Sequence, residues 1–196
     1  MTAVPARART IAVLAIVAGG GGALIASTQP WLDVVVTDAH ASLWVTGSDA
    51  MALLAPLSLA ALALGLALAL VGRVFRYVFA VLALILGLGL IVGTAAVAVG
   101  IPVDAYAAAV TETTGLSGAD TVRDAVTGIT VTGWPVLAVF GGCAVVAGGA
   151  WTLTTAHLWP VGGRRYAPDA ESPVGSRSHD AVDDWDDLSR GEDPTA

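Results

Sequence analysis

Four stretches of this chain contain no Asp, Glu, Lys or Arg: residues 10–32, 50–72, 77–103 and 125–163. Crossing ~30 Å of hydrocarbon at ~1.5 Å per residue takes roughly 20 helical residues, so each stretch accommodates one span. Backbone polar groups in lipid must be satisfied within the segment, which makes the spanning parts helices. The last window, at 39 residues, is too long for one helix and too short for two with a turn. Its first part, AVTGITVTG, alternates in the β manner and is rich in Thr and Gly, so it reads as strand, with the helix starting near Trp134. Composition agrees, because only 13% of residues are charged, whereas soluble domains carry about twice that fraction. The expected architecture is an all-α membrane protein. It is a four-transmembrane-helix bundle (10–27, 50–72, 77–101, 134–159) with a small extracellular antiparallel β-sheet and a disordered cytoplasmic tail.

Orientation follows from the cations, all of which are Arg. Arg7 and Arg9 precede the first span, Arg73 and Arg76 separate the second and third, and Arg164 and Arg165 follow the fourth. Positive residues in short flanks stay on the cytoplasmic side. The other two connections carry Asp33, Asp38, Asp49, Asp104, Glu112, Asp120 and Asp124 against the single Arg123. Both termini are therefore expected in the cytoplasm, with residues 28–49 and 102–133 outside, and the six arginines at the headgroups of a plasma membrane. A cleaved signal peptide ending near Ala26 and Ser27 is the alternative for the first span. Its apolar stretch is long for that role, and no clean A-x-A site precedes Gln29.

Two outer segments resemble each other. ASLWVTGSDA (41–50) and ITVTGWP (129–135) each place a strand-like VTG just ahead of an apolar run. In the first, Leu43 and Val45 face one way and Trp44 and Thr46 the other. WLDVVVT (31–37) with LWVT (43–46) has the signature of a hairpin with a longer loop, and ITVT (129–132) offers a third strand. The expectation is one sheet on top of the bundle, against the alternative of two independent flexible loops. Gly47 and Gly133 would permit the turn into each helix. Ser48 or Asp49 would cap the second span, and Pro135 suits the first turn of the fourth. Residues 104–112 and 119–126 read as short helices split by TTGLSG.

Inside the expected spans no residue is formally charged. Proton relays and charged-substrate pathways usually need such groups, and His157 at the inner boundary reads as an interfacial histidine. Pro56, near the outer end of the second span, is placed to bend it, either as a simple kink or as part of a substrate gate. Gly89 and Gly93 have the GxxxG spacing that lets helices approach closely, serving intramolecular packing or a homo-oligomer. Trp31 and Trp134 outside and Trp159 inside fit aromatic belts, with an aromatic ligand cage as the alternative. Cys143 has no partner cysteine. No metal-ligand spacing, phosphate loop or nucleophile motif appears, so neither enzyme nor cofactor is expected. The basic residues are taken up at membrane borders, so nucleic-acid binding is not expected either.

The tail, residues 164–196, holds nine acidic residues against four Arg and cannot fold alone. Trp185 and Leu188, at i and i+3 in an acidic setting, suit docking as a short helix in the groove of a cytoplasmic partner. The alternative is a solvated tail.

PWLDVVV after the first span, VTGSDA before the second, TGWPVLAVFGG entering the fourth, LWPVGGRRYAP leaving it and the terminal WDDLSRGEDPT together resemble the tryptophan-associated transmembrane protein family. The resemblance covers nearly the whole chain. It implies a bacterial four-span protein encoded among tryptophan-biosynthesis genes, and it transfers no catalytic residue. It strengthens the docking reading of Trp185, Leu188, Arg190 and Glu192. The topology also looks claudin-like, but the outer-loop cysteine pair of claudins is missing. The functional expectation is a non-enzymatic accessory protein that recruits partners through its outer sheet and inner tail. The alternative is a small carrier, or carrier subunit, for tryptophan or a related aromatic metabolite, using discontinuous helix ends in place of charged side chains.

Overall fold

A computed structural model describes residues 3–37 and 42–159, with side chains from residue 7. The chain is mostly helical. Among the described residues, three helical stretches are long and apolar enough to cross a membrane: Arg7–Ser27 (21 residues), Arg73–Gly100 (28) and Trp134–Leu158 (25). They belong to α1 (Ala3–Ser27), α4 (Arg73–Gly100) and α7 (Trp134–Thr155), the last continued by a 3-10 turn over Ala156–Leu158.

The second apolar window folds differently. Its first residue closes a single turn, α2 (Gly47–Ala50), and the rest holds a separate 15-residue helix, α3 (Leu54–Leu68), only about 22 Å long at helical rise. The cause is local. Thr46, rather than Ser48 or Asp49, is the cap: its hydroxyl accepts from the Asp49 backbone N–H at 3.3 Å and donates to Asp49 Oδ2 at 2.6 Å. Met51 then turns extended (φ −141°, ψ 91°) and closes α2. The restart at Leu54 puts Pro56 in the first turn of α3, where a missing N–H costs nothing. Pro56 therefore sits at a helix start and does not bend a continuous span.

α1 packs on α7 and α3, α7 also packs on α4, and a slimmer α3–α4 contact completes the ring. Paired glycines on α7 make this possible. A Cβ on Gly141 would meet the Gly19 carbonyl oxygen at 2.5 Å, and one on Gly148 would meet Ile16 Cγ1 at 2.6 Å, both on α1. One on Gly142 would meet the Gly87 carbonyl oxygen at 3.0 Å, and one on Gly149 that of Ala80 at 3.0 Å, both on α4. The first glycine of each pair thus faces one neighbour and the second faces the other, because adjacent helical positions point about 100° apart. Gly89 and Gly93 do otherwise: they face the side chains of Leu57 and Met51, not another helix backbone.

The predicted sheet forms. β1 (Pro30–Val36) lies between β2 (Ser42–Thr46) and β3 (Val126–Val131), antiparallel to both. Leu32, Val34, Val36 and Val45 are fully buried, or within 1% of it. They form one cluster with Ala105, Tyr106 and Val110 of α5 (Asp104–Thr114) and Val122 of α6 (Ala119–Ala125). The same cluster reaches Ala26, Leu54, Leu90 and Ala138 of the bundle, so the sheet's inner face and the helix ends share one core. Between α5 and α6, Gly115 (φ 74°) and Gly118 (φ 101°) adopt the left-handed conformations that glycine allows.

Candidate functional site

Polar chemistry lies at the two ends of the bundle. Among the described residues, the buried polar groups of the helices other than Arg76 are the hydroxyls of Ser27, Ser58, Thr94 and Thr152. Three of these donate to their own helix: Ser27 to Leu24 (2.7 Å), Ser58 to Leu54 (2.6 Å) and Thr152 to Gly148 (2.8 Å). The Thr94 hydroxyl is enclosed without a hydrogen-bond partner.

At the sheet-bearing end, Trp31 is the keystone. A register shift in β1 between Pro30 and Leu32 lets Trp31 and Leu32, although consecutive, both bury completely. Trp31 Nε1 donates to the Ala26 carbonyl at the end of α1 at 2.8 Å. Its ring packs against Gly47, where a Cβ would approach Nε1 to 2.6 Å and Cε2 to 2.7 Å. This, and not a special backbone angle, is why residue 47 is glycine; neither Gly47 nor Gly133 has a positive φ. Trp31 is thus a buried strut joining α1, β1 and α2, where an interfacial belt residue was expected.

The outward face of the sheet carries Asp33 opposite Trp44 on one side and Thr130 on the other. Leu43 and Val45 point inward and Trp44 outward, as the alternation predicts; Trp44 is 59% exposed. Trp134 at the start of α7 keeps an exposed ring, and Pro135 sits in the first turn there as expected.

At the opposite end, Arg76 and Trp159 hold each other. Arg76 is only 3% exposed and Trp159 1%. The guanidinium carbon stands 5.3 Å from the indole centroid, within cation–π range. Nη1 donates to the Trp159 carbonyl and Nε to the Val71 carbonyl, each at 3.3 Å, while Trp159 Nε1 donates to Thr155 Oγ1 at 3.1 Å. Arg76 therefore turns inward and ties the α3–α4 connection to the end of α7. Trp159, expected in the inner aromatic belt, is the buried half of that lock. Arg9 and Arg73 lie close enough to Arg76 to act on it electrostatically, so three arginines gather at this end. Arg7 and Arg73 are exposed, and so are His157 and Cys143.

Arg164, Arg165, Trp185, Leu188, Arg190 and Glu192 lie outside the described residues. The inward roles of Trp31 and Arg76 escaped sequence reasoning because a Trp or Arg beside an apolar run gives the same signal whether it faces headgroups or protein. No group of three or more potential metal ligands occurs among the described residues.

The chain belongs to the tryptophan-associated transmembrane protein family, whose family model matches residues 13–195. No curated protein and no solved structure matches it.

Proposed function

We propose that this membrane protein is a non-enzymatic accessory protein of tryptophan metabolism that works by recruiting partners at its two ends. In this reading it sits in a bacterial plasma membrane with four spans, both termini in the cytoplasm and the sheet outside. α3 crosses with the help of the apolar turns Met51–Ala52–Leu53 and Ala69–Leu70–Val71. The tail docks a cytoplasmic protein through Trp185, Leu188, Arg190 and Glu192. The distribution of charge supports this sidedness, since Arg9, Arg73 and Arg76 meet at one end while Asp33, Asp49, Asp104, Glu112, Asp120 and Asp124 belong to the segments at the other.

The observation that carries the accessory reading is how the middle of the bundle is filled. Backbone-to-backbone contacts at Gly19–Gly141 and Gly87–Gly142 close two of its seams. The buried polar groups there are hydroxyls, which neutralise neither end of a zwitterion. Pull-down of the full chain and of a chain lacking residues 183–196 tests the reading. Loss of a specific cytoplasmic partner from the truncated chain is expected, and identical partner sets would remove the tail from the mechanism. Saturable tryptophan uptake by proteoliposomes of the purified protein would replace the accessory role with the carrier.

A further inference from the structure

The outward face of the sheet bears a row of three side chains that the fold does not use. Asp33 sits on the central strand, directly opposite Trp44 of β2 and Thr130 of β3; opposed residues of adjacent antiparallel strands share a face, with Cβ atoms about 4.5–5.5 Å apart. Trp44 is 59% exposed and Thr130 is exposed. Asp33 Oδ1, by contrast, is shielded from solvent and accepts no hydrogen bond. Asp33 as a whole is only half-buried, so an N–H-bearing cation can meet its carboxylate from the open side and supply the compensation that the fold leaves out. The open face of an indole attracts the same kind of group.

We propose that the Trp44–Asp33–Thr130 row docks an arginine side chain of a partner polypeptide, the guanidinium donating to Asp33 while it stacks on Trp44. Guanidinium suits the row better than ammonium. It is planar, weakly hydrated and able to hydrogen-bond in its plane while stacking through its face. Charge complementarity favours a basic partner, because residues 28–49 and 102–133 carry seven carboxylates and one cation. That cation, Arg123, already lies 4.0 Å from Asp120. A polypeptide fits better than a free metabolite because the row lies on an open strand face, whereas small-molecule sites are concave. The inference rests on the recruiting role proposed for the sheet-bearing end and is independent of the tail.

The test uses the full chain in lipid nanodiscs, labelled with 5-fluorotryptophan, with the Trp44 19F resonance assigned by Trp44→Phe. The probes are an extended Ser/Thr peptide with one central Arg, the same peptide with Lys in its place, and free ethylguanidinium. Saturable movement of the Trp44 resonance with the Arg peptide is expected, several-fold tighter than with the Lys peptide. Asp33→Asn should weaken it at least about tenfold, and Asp104→Asn should leave it unchanged. Unmoved Trp31 and Trp159 resonances in Asp33→Asn report an intact fold. Should that variant fail to fold, Trp44→Leu, read by anisotropy of a labelled Arg peptide, must show the same loss. No saturable shift, undiminished binding in either variant, or ethylguanidinium binding as tightly as the Arg peptide would overturn the assignment.

Discussion

The backbones of Gly19 and Gly141 touch: a Cβ added to either glycine would stand 2.5 Å from the carbonyl oxygen of the other. Real Cβ atoms do not sit that close to backbone, and neither helix has a flexible side-chain end to move aside. Between apolar helices in lipid, where the hydrophobic effect offers little, such close approach is the main source of attraction.

Gly141→Ala should therefore force α1 and α7 apart and destabilise the protein by about 1–3 kcal/mol. Gly22→Ala is the control, because a Cβ there meets nothing within 4 Å, and it should be neutral or slightly stabilising. Denaturant unfolding in mixed micelles measures both. Equal stability of the two variants would refute the seam.

Gly47→Ala should displace the Trp31 indole, since the new methyl would fall 2.6 Å from Nε1. The Trp31–Ala26 hydrogen bond breaks with it, at a combined cost on the order of 2 kcal/mol. Near-UV circular dichroism and the melting temperature report the change. An unaltered indole environment would show that the ring does not rest on residue 47.

Arg76 and Trp159 should be energetically coupled. A double-mutant cycle with Arg76→Gln and Trp159→Leu is expected to return about 0.5–2 kcal/mol of interaction. Arg73→Gln, at an exposed neighbour on the same turn, should change stability by less than about 0.5 kcal/mol. Additive single effects at Arg76 and Trp159 would mean that the two merely lie near each other.

Thr94→Val removes an enclosed hydroxyl that has no hydrogen-bond partner while nearly keeping the side-chain shape. Stability should hold or rise by about 1 kcal/mol. Thr152→Val, which deletes a 2.8 Å bond to the Gly148 carbonyl, should instead lower it slightly. Unfolding free energies of the two variants check the contrast, and a marked loss on Thr94→Val would reveal a hidden partner.

The strands were legible because alternation in LWVT and in WLDVVVT leaves little freedom: one face must bury, and Trp44 lands outside once Val45 lands inside. The short helices after residue 103 were legible from TTGLSG, whose glycines take the left-handed angles between them. What was illegible has a common origin. The charge-free window at 50–72 promised one helix, yet Thr46 binding Asp49 starts a turn that Met51 ends, and local hydrogen bonding of that kind leaves no trace in hydropathy. Gly47 looked like a hinge, but its reason is an indole from a strand many residues away. The GxxxG pair at Gly89 and Gly93 packs against the side chains of Leu57 and Met51, whereas the backbone-to-backbone seams lie at the doubled glycines of α7, which spacing alone does not single out.

By itself the sequence determined that this chain is a membrane protein with mostly helical apolar segments, and that β-favouring segments lie ahead of two of them. Those properties follow from transfer free energy and backbone satisfaction, which are summed along the chain and need no knowledge of neighbours. Only the tertiary structure decided which glycine faces which helix, that Trp31 and Arg76 turn inward, and that Asp33 stands between Trp44 and Thr130. Each of these is a relation between residues distant in sequence, and contact geometry across such distances arises only when the helices and the sheet pack together.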